Sequence, residues 1–347
     1  MTLESSIPEH LRAERRCPRR AGADQFVPPY PSFVARFKPS VKQVVMAYLG
    51  VQFRARTPAV DAALRTLDGW LGAAGGPRHH DRARETDAAG FDNVVTIAYW
   101  DDAGAFDRWF AAHGRQWTDG RVAGDGFGTF SEILRPGVER FETLFSAPDR
   151  SEGVAVLADG MSGPVQEHAY WGGMRDRIPL SQTDLMPARG APRVQADGAR
   201  RRVVPHDNLC LIRSGQDWSD TDDAERRMYL EDVEPVLRDG MDFLRDEGLP
   251  VGCFANRYMR VVGADGRDTD KSFGMSWWRD LAALERWSES HPTHVAIFGA
   301  AMRYLMKLGP AAKLKLYHEV TVAAAHEQCF EYLNCHDGTG MLRGAAA

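Results

Sequence analysis

The feature that most restricts how this chain can fold is an internal repetition. Tyr99-Trp100-Asp101-Asp102, three residues, then Phe106-Asp107-Arg108-Trp109 recurs as Trp277-Trp278-Arg279-Asp280, three residues, then Leu284-Glu285-Arg286-Trp287. On the same alignment His113 falls opposite His291, and Tyr48-Leu49-Gly50-Val51-Gln52 falls opposite Ile212-Arg213-Ser214-Gly215-Gln216, each followed by a helical pattern. The chain therefore reads as two β-α-β-α modules, a split, ferredoxin-like unit used twice. A sheet with one apolar face must bury that face against a partner. We accordingly expect an α+β fold in which duplicated ferredoxin-like modules form a β-barrel-like sheet pair flanked by outer helices. Residues 1–40, rich in Arg and Pro and without periodicity, are expected to be an extended N-terminal arm that either wraps the body or a second subunit or is a partly ordered terminus. Residues 41–150 are the first module and 151–347 the second, divided at the plausible link Ala147-Pro148-Asp149-Arg150-Ser151-Glu152-Gly153.

Local pattern supports this division. Val44–Phe53 and Asn93–Trp100 are strands by their β-branched and apolar content, and Pro58–Leu71 is a helix with Val60, Leu64, Leu67 and Leu71 on one face. Asp102 caps a further helix in which Phe106, Trp109 and Phe110 are spaced to pack. At 347 residues with 44% hydrophobic side chains, the chain has ample material for a core. A net charge of -5 gives no general attraction for nucleic acid or anionic lipid, so a small molecule is the natural ligand. Five scattered cysteines without a C-x-x-C pair exclude a disulfide framework, a zinc knuckle and thioether-linked haem. No apolar run follows the N-terminal arginines, and no segment reaches the ~18 apolar residues that span a bilayer, so cytoplasmic residence is expected.

Several residues have the chemistry of a site. In Ser290-His291-Pro292-Thr293-His294, Pro292 suits a first helical turn with His291 or Ser290 as cap, and a helix then runs to about Leu308. On it His294 shares a face with Ile297, Phe298, Ala301 and Leu305, so its imidazole either projects into an apolar cavity as an iron ligand would, or is a core or cap histidine. His291 and His294 also have a spacing that can bind zinc, without a third ligand nearby. His318 lies in the alternating stretch Lys313–Val322; Leu314, Leu316, His318, Val320 and Val322 are expected to face inward, and Lys313, Lys315, Glu319 and Thr321 outward. Ser214 ends the strand Leu209–Ser214, where Gly215 follows and the chain leaves the sheet; no G-x-S-x-G surrounds it. Tyr170 to Arg177 is dense in aromatics and cations, and its arginines either balance a buried acid or form surface salt bridges. Glu142 is unremarkable alone, and Gly124-Asp125-Gly126-Phe127-Gly128 is a weak glycine-rich signal.

Taken together and in order, these segments resemble the haem-containing aldoxime dehydratases, the phenylacetaldoxime dehydratase type. The matching stretches are Gln43–Met46 to Gln52-Phe53, Tyr170-Trp171-Gly172 with Met174-Arg175, Ser181–Asp184, Ile212–Trp218, Glu285–His294, Leu316–Val320, Asn334-Cys335-His336 and Gly338–Arg343. The resemblance runs from about residue 25 to the end, diverging in the arm and around residues 186 to 205. It implies a b-type haem that works in the ferrous state, a small aldoxime substrate whose nitrogen binds the iron directly, and a homodimer. It also implies His294 as the axial ligand, Ser214 and His318 on the reacting side, Arg177 as the assisting arginine, with Arg175 its near rival, and Glu142 as a distal acid. The competing readings are a haem peroxidase or monooxygenase on the same scaffold and a non-catalytic haem sensor or carrier. The residues leave open whether the substrate is alkyl, arylalkyl or aryl.

Overall fold

The two aromatic-rich repeats each end a long strand and begin a helix, as their spacing predicts. The computed structural model describes residues 3–20, 28, 30–119, 126–168 and 173–345. Tyr170-Trp171-Gly172 and Gly124-Asp125, singled out above, lie outside the described residues. The strands are β1 (Ala35–Arg36), β2 (Val45–Phe53), β3 (His79–Thr86), β4 (Asp92–Trp100), β5 (Phe127–Leu134), β6 (Phe141–Phe145), β7 (Gly160–Met161), β8 (Arg193–Asp197), β9 (Arg200–Val204), β10 (Leu209–Asp217), β11 (Cys253–Val262), β12 (Asp268–Trp278), β13 (Lys315–Ala323) and β14 (Gln328–Leu333). Twelve of them form one antiparallel sheet in the order β6-β13-β10-β12-β11-β3-β4-β2-β5-β14-β9-β8, and β1 pairs separately with β7.

Within this sheet two quartets have the same plan. β2 leads through the helix Pro58–Leu71 to β3 and β4, then through helices between Ala103 and Thr118 to β5. β10 leads through helices between Asp223 and Glu247 to β11 and β12, then through Leu281–Ser290 and Pro292–Leu308 to β13. Each half is thus β-α-β-β-α-β, two strands more than the β-α-β-α pattern. β3 reads His-His-Asp-Arg-Ala-Arg-Glu-Thr and escapes an apolar count, because its side chains are satisfied by charge: Asp81 meets Arg213 at 2.8 Å and Arg84 meets Asp268 at 2.8 Å. β3 also joins the quartets, pairing with β11 from Arg82 to Arg84.

The quartets exchange edge strands. β6, which follows the first quartet in the chain, pairs with β13, and β14, near the chain's end, pairs with β5. One apolar core lies between the two halves of the sheet, with Met46, Tyr48, Ile97 and Phe130 from one and Leu211, Phe273, Met275 and Trp277 from the other. Tyr48 and Trp277 meet edge to face at 5.9 Å. Helices cover the reverse faces: Leu64, Leu67 and Trp109 pack on Ala47 and Leu49, and Leu244, Leu281 and Leu284 pack on Cys210, Trp278 and Val322. This is a mixed α/β fold with a large antiparallel sheet and outer helices. The described part of the N-terminal arm lies along the chain's own body: the Arg16 and Cys17 amides donate to the Gln182 carbonyl, the Arg20 amide to Asp176, and Phe33 pairs with Phe145 of β6.

One expectation about β13 needs correction. Glu319 and Thr321, read as outward-facing, are buried, because the second face of β13 looks into the inter-sheet core and not into water. Glu319 is satisfied there by the Tyr99 hydroxyl at 2.7 Å and the Val154 amide at 2.6 Å, beside a wholly buried Arg213 that donates to the Tyr99 oxygen at 2.9 Å. Buried charge is tolerated only when so paired. On the neighbouring strand, Gly215 gives way to the Tyr317 ring, which stacks on Phe145; a Cβ at Gly215 would stand 2.1 Å from Tyr317 Cε1. We predict that Gly215→Ala costs about 1–3 kcal/mol through overpacking, read as a lower denaturation midpoint at constant m. An unchanged midpoint would contradict this packing.

Candidate active site

A cavity of about 1060 Å³ lies between the second quartet and its helices. Its floor is one face of β10, β12 and β13, contributed by Ile212, Ser214, Gln216, Gly274, Ser276, Trp278, Leu316 and His318. Strand register places Ser214 directly between Gly274 and His318, and Ile212 opposite Ser276. Ser214, Gly274 and Ser276 are small at positions where a sheet under helices ordinarily carries bulky residues, and the volume stays open for that reason. The roof is the helix Pro292–Leu308 together with Leu237 and Met241. Only Ala300 and Tyr304 of that helix are fully buried; Ile297, Phe298, Ala301 and Leu305 are half-buried and line the cavity.

His294 enters from this roof. Pro292 occupies the first turn and His291 is the cap, its side chain accepting from the Thr293 amide. The His294 ring stands edge-on to Trp287 at 4.7 Å and lines the cavity with Ser288. Burial pushes its pKa down to about 4, opposed by a hydrogen bond to the Ser288 backbone. A neutral, oriented imidazole is what an iron ligand requires. Among the described residues no cluster of three metal-ligating side chains exists, so the zinc reading of His291 and His294 gains no third ligand. The residues present fit a haem: a mostly apolar cavity above the usual ~300–1,000 Å³ range of ligand sites, a half-buried apolar helix face toward it, and the His294 imidazole on that helix side.

The floor carries the polar group. β10 continues to Asp217, so Ser214 is mid-strand and not at the exit of the sheet; Gly215 is there for Tyr317, not for a turn. His318, buried on the adjoining strand, places Nε2 at 2.7 Å from Glu142 Oε1 and 3.1 Å from Arg177 Nη2. Arg177 Nε donates to Glu142 Oε2 at 2.7 Å and its Nη1 to the Glu167 carbonyl at 3.0 Å. Burial alone would raise the Glu142 pKa, but Arg177 and His318 outweigh it and hold the carboxyl below its usual range. Arg175, two residues away, turns aside: its Nε donates to the buried Glu285 at 2.9 Å. Both arginines are buried and each faces a buried carboxylate, which excludes the surface-salt-bridge reading.

The structure therefore brings Ser214, His318, Arg177 and Glu142 together and places His294 on the same cavity from the other layer. Sequence reasoning did not identify Ser288, Gly274, Ser276 or Tyr30 among the lining. The glycine and serine in an otherwise heavy strand face were a legible sign of a hollow; Ser288 and Tyr30 left none, since their positions depend on chain crossings.

Residues 47–341 match the model of the haem-containing dehydratase family. The chain is 46% identical over 351 aligned positions to the aliphatic aldoxime dehydratase of Pseudomonas chlororaphis, with 99% of each chain covered. It is 33% identical over 320 positions to the phenylacetaldoxime dehydratase of Bacillus sp. (strain OxB-1), with 90% of each covered. A crystal structure of an aldoxime dehydratase in complex with butyraldoxime superposes with a TM-score of 0.93 at 45% identity, over 99% of this chain and 97% of that one.

Because the folded state holds Glu142 ionised more firmly than the unfolded chain does, its contribution to stability is present above the ordinary carboxylate pKa of about 4.3 and is lost as pH falls below it. Glu142→Gln leaves Arg177 buried beside a neutral amide and should cost about 3–5 kcal/mol at neutral pH, while flattening the acid limb of a stability–pH curve. A variant as stable as the parent at pH 7 would show that the pair is not held as described.

Proposed function

The chain belongs to the haem-containing dehydratase family, and we propose on that premise that it converts aldoximes to nitriles and water in the cavity between His294 and Ser214. The enzyme is a lyase and haem is its cofactor. The observation that carries the reading is the direct cross-strand pairing of Ser214 with His318, whose Nε2 meets Glu142 and Arg177, on the cavity that His294 also lines. The overall change takes R-CH=N-OH to R-C≡N and H₂O: the nitrogen-oxygen bond breaks, hydroxide leaves with one proton, and the carbon-bound hydrogen departs as another.

When bound, haem supplies an electron-rich iron, suited to accept the oxime nitrogen and weaken the nitrogen-oxygen bond; the resemblance to the family favours a b-type haem in the ferrous state. His294 would hold it from the helix side. Ser214 directs the oxime oxygen toward His318 through its hydroxyl. His318 donates the proton with which the hydroxyl leaves as water and takes up the carbon-bound proton, so the ring is restored at the end of each turnover. Glu142 and Arg177, an anion and a cation meeting at one ring nitrogen, fix the imidazole and need little rearrangement as its proton moves. The apolar lining keeps bulk water from competing for that proton.

Other expectations remain part of the proposal. The identical succession and strand order of the two quartets support a ferredoxin-like unit used twice, with an arm over 1–40, a first module over 41–150 and a second over 151–347. We further propose a homodimer and a cytoplasmic location; among the described residues no helix is long and apolar enough to cross a membrane. Two substitutions separate the roles. His318→Ala should retain the haem absorption band and lose about 10²–10⁴-fold in nitrile formation; full activity would remove His318 from the chemistry. His294→Ala should lose haem or its axial imidazole, and a variant keeping a histidine-ligated spectrum would overturn that assignment.

A further inference from the structure

Residues 30–36 run along β6 and the segment before Met174. Phe33 exchanges two backbone hydrogen bonds with Phe145 at 2.9 and 2.8 Å, and the Val165 amide donates to the Ser32 carbonyl at 3.0 Å. Just before this laced stretch, Tyr30 and Pro31 line the reaction cavity together with Ser146 and Ala147. The Tyr30 ring stands edge-on to His168 at 4.9 Å, and His168 Nδ1 lies 3.3 Å from the Tyr30 carbonyl. A carbonyl only accepts, so that nitrogen carries the proton. His168 is almost wholly buried, and burial followed by the charge of Arg177 pushes its pKa down to about 4, which keeps the ring neutral at physiological pH. Its chain neighbour Glu167 receives Arg177 Nη1 through its carbonyl at 3.0 Å. Tyr30 is therefore fixed to the same segment that Arg177 grips, on the side of the cavity where His318 stands.

We propose that Tyr30 is a specificity-determining residue whose ring limits the size of the aldoxime's R group, and that His168 is the positioning residue that holds it in the cavity wall. This rests on the reading that aldoximes are dehydrated here. The R group is the variable, mostly apolar part of such a substrate and must lie against the lining; the oxime is claimed by Ser214 and His318. Tyr30 precedes residue 47, where the match to the family model begins, so this part of the pocket wall is set by a segment separate from the catalytic strands.

The test compares kcat/KM for butyraldoxime and phenylacetaldoxime in the holoenzyme and in Tyr30→Phe, Tyr30→Ala, His168→Asn and His168→Leu. Tyr30→Ala should shift the ratio toward phenylacetaldoxime by ~10-fold or more, chiefly through KM, while Tyr30→Phe stays within about 3-fold of the parent. His168→Leu should shift the ratio in the same direction, and His168→Asn, whose amide can donate from near the Nδ1 position, should restore it. An unchanged ratio in Tyr30→Ala overturns the proposal for Tyr30. Equal losses on both substrates in His168→Leu, or no rescue by His168→Asn, overturn it for His168. Failure of the parent enzyme to form nitrile from either aldoxime would sink the underlying function instead.

Discussion

The ion pair between Arg177 and Glu142 is the contact on which the site depends. It draws three stretches far apart in sequence to one nitrogen of His318: β6, the short helix Met174–Arg177, and β13. Such a pair has a desolvation cost that its Coulomb attraction offsets only with good geometry and further hydrogen bonds. Here the Glu167 carbonyl and the His318 ring supply them. The pair in turn depends on the edge-strand exchange. Were β6 to stay with its own quartet, Glu142 would not be on the strand beside His318, and Arg177 would be a buried cation without an anion.

The other constraint is a hollow maintained inside a well-packed protein. Interiors ordinarily close to crystal-like density, and this one stays open because small residues on β10 and β12 face a helix whose apolar stripe of Ile297, Phe298, Ala301 and Leu305 lines the cavity. The described polypeptide alone leaves Ile297, Phe298 and Leu305 half-buried. A bound haem would cover that stripe, so cofactor binding and folding are linked, and the loaded protein is the more stable state. The same arrangement separates the duties of the two layers. The helix layer offers a neutral imidazole oriented by the Ser288 backbone; the sheet layer offers a hydroxyl and a second imidazole held by charge.

Much of this was legible in the sequence where local rules govern. The Pro58–Leu71 helix, the cap at Asp102 and the His294 stripe follow from spacing and capping alone, and the observed elements agree. The repeated aromatic segment anticipated two similar successions of elements. What could not be read was whatever depends on the far side of a strand. Glu319 and Thr321 look solvent-facing by alternation, because alternation assumes water on one face, and here both faces of β13 are covered. β3 hides for the complementary reason, since its charged side chains find partners on β10 and β12 that no local pattern announces. The choice between Arg175 and Arg177 was likewise undecidable two residues apart, and the geometry separates them by partner: Glu285 for one, Glu142 and His318 for the other.

The central claim is that an imidazole from the roof and a serine-histidine pair on the floor serve one haem in a redox-neutral loss of water. The most direct measurement is the absorption spectrum of the dithionite-reduced protein before and after anaerobic addition of butyraldoxime, with butyronitrile quantified afterwards. The account predicts a haem Soret band that shifts on addition and nitrile formed without oxygen or peroxide. A protein with no Soret band, or one that forms product only when an oxidant is supplied, would contradict it.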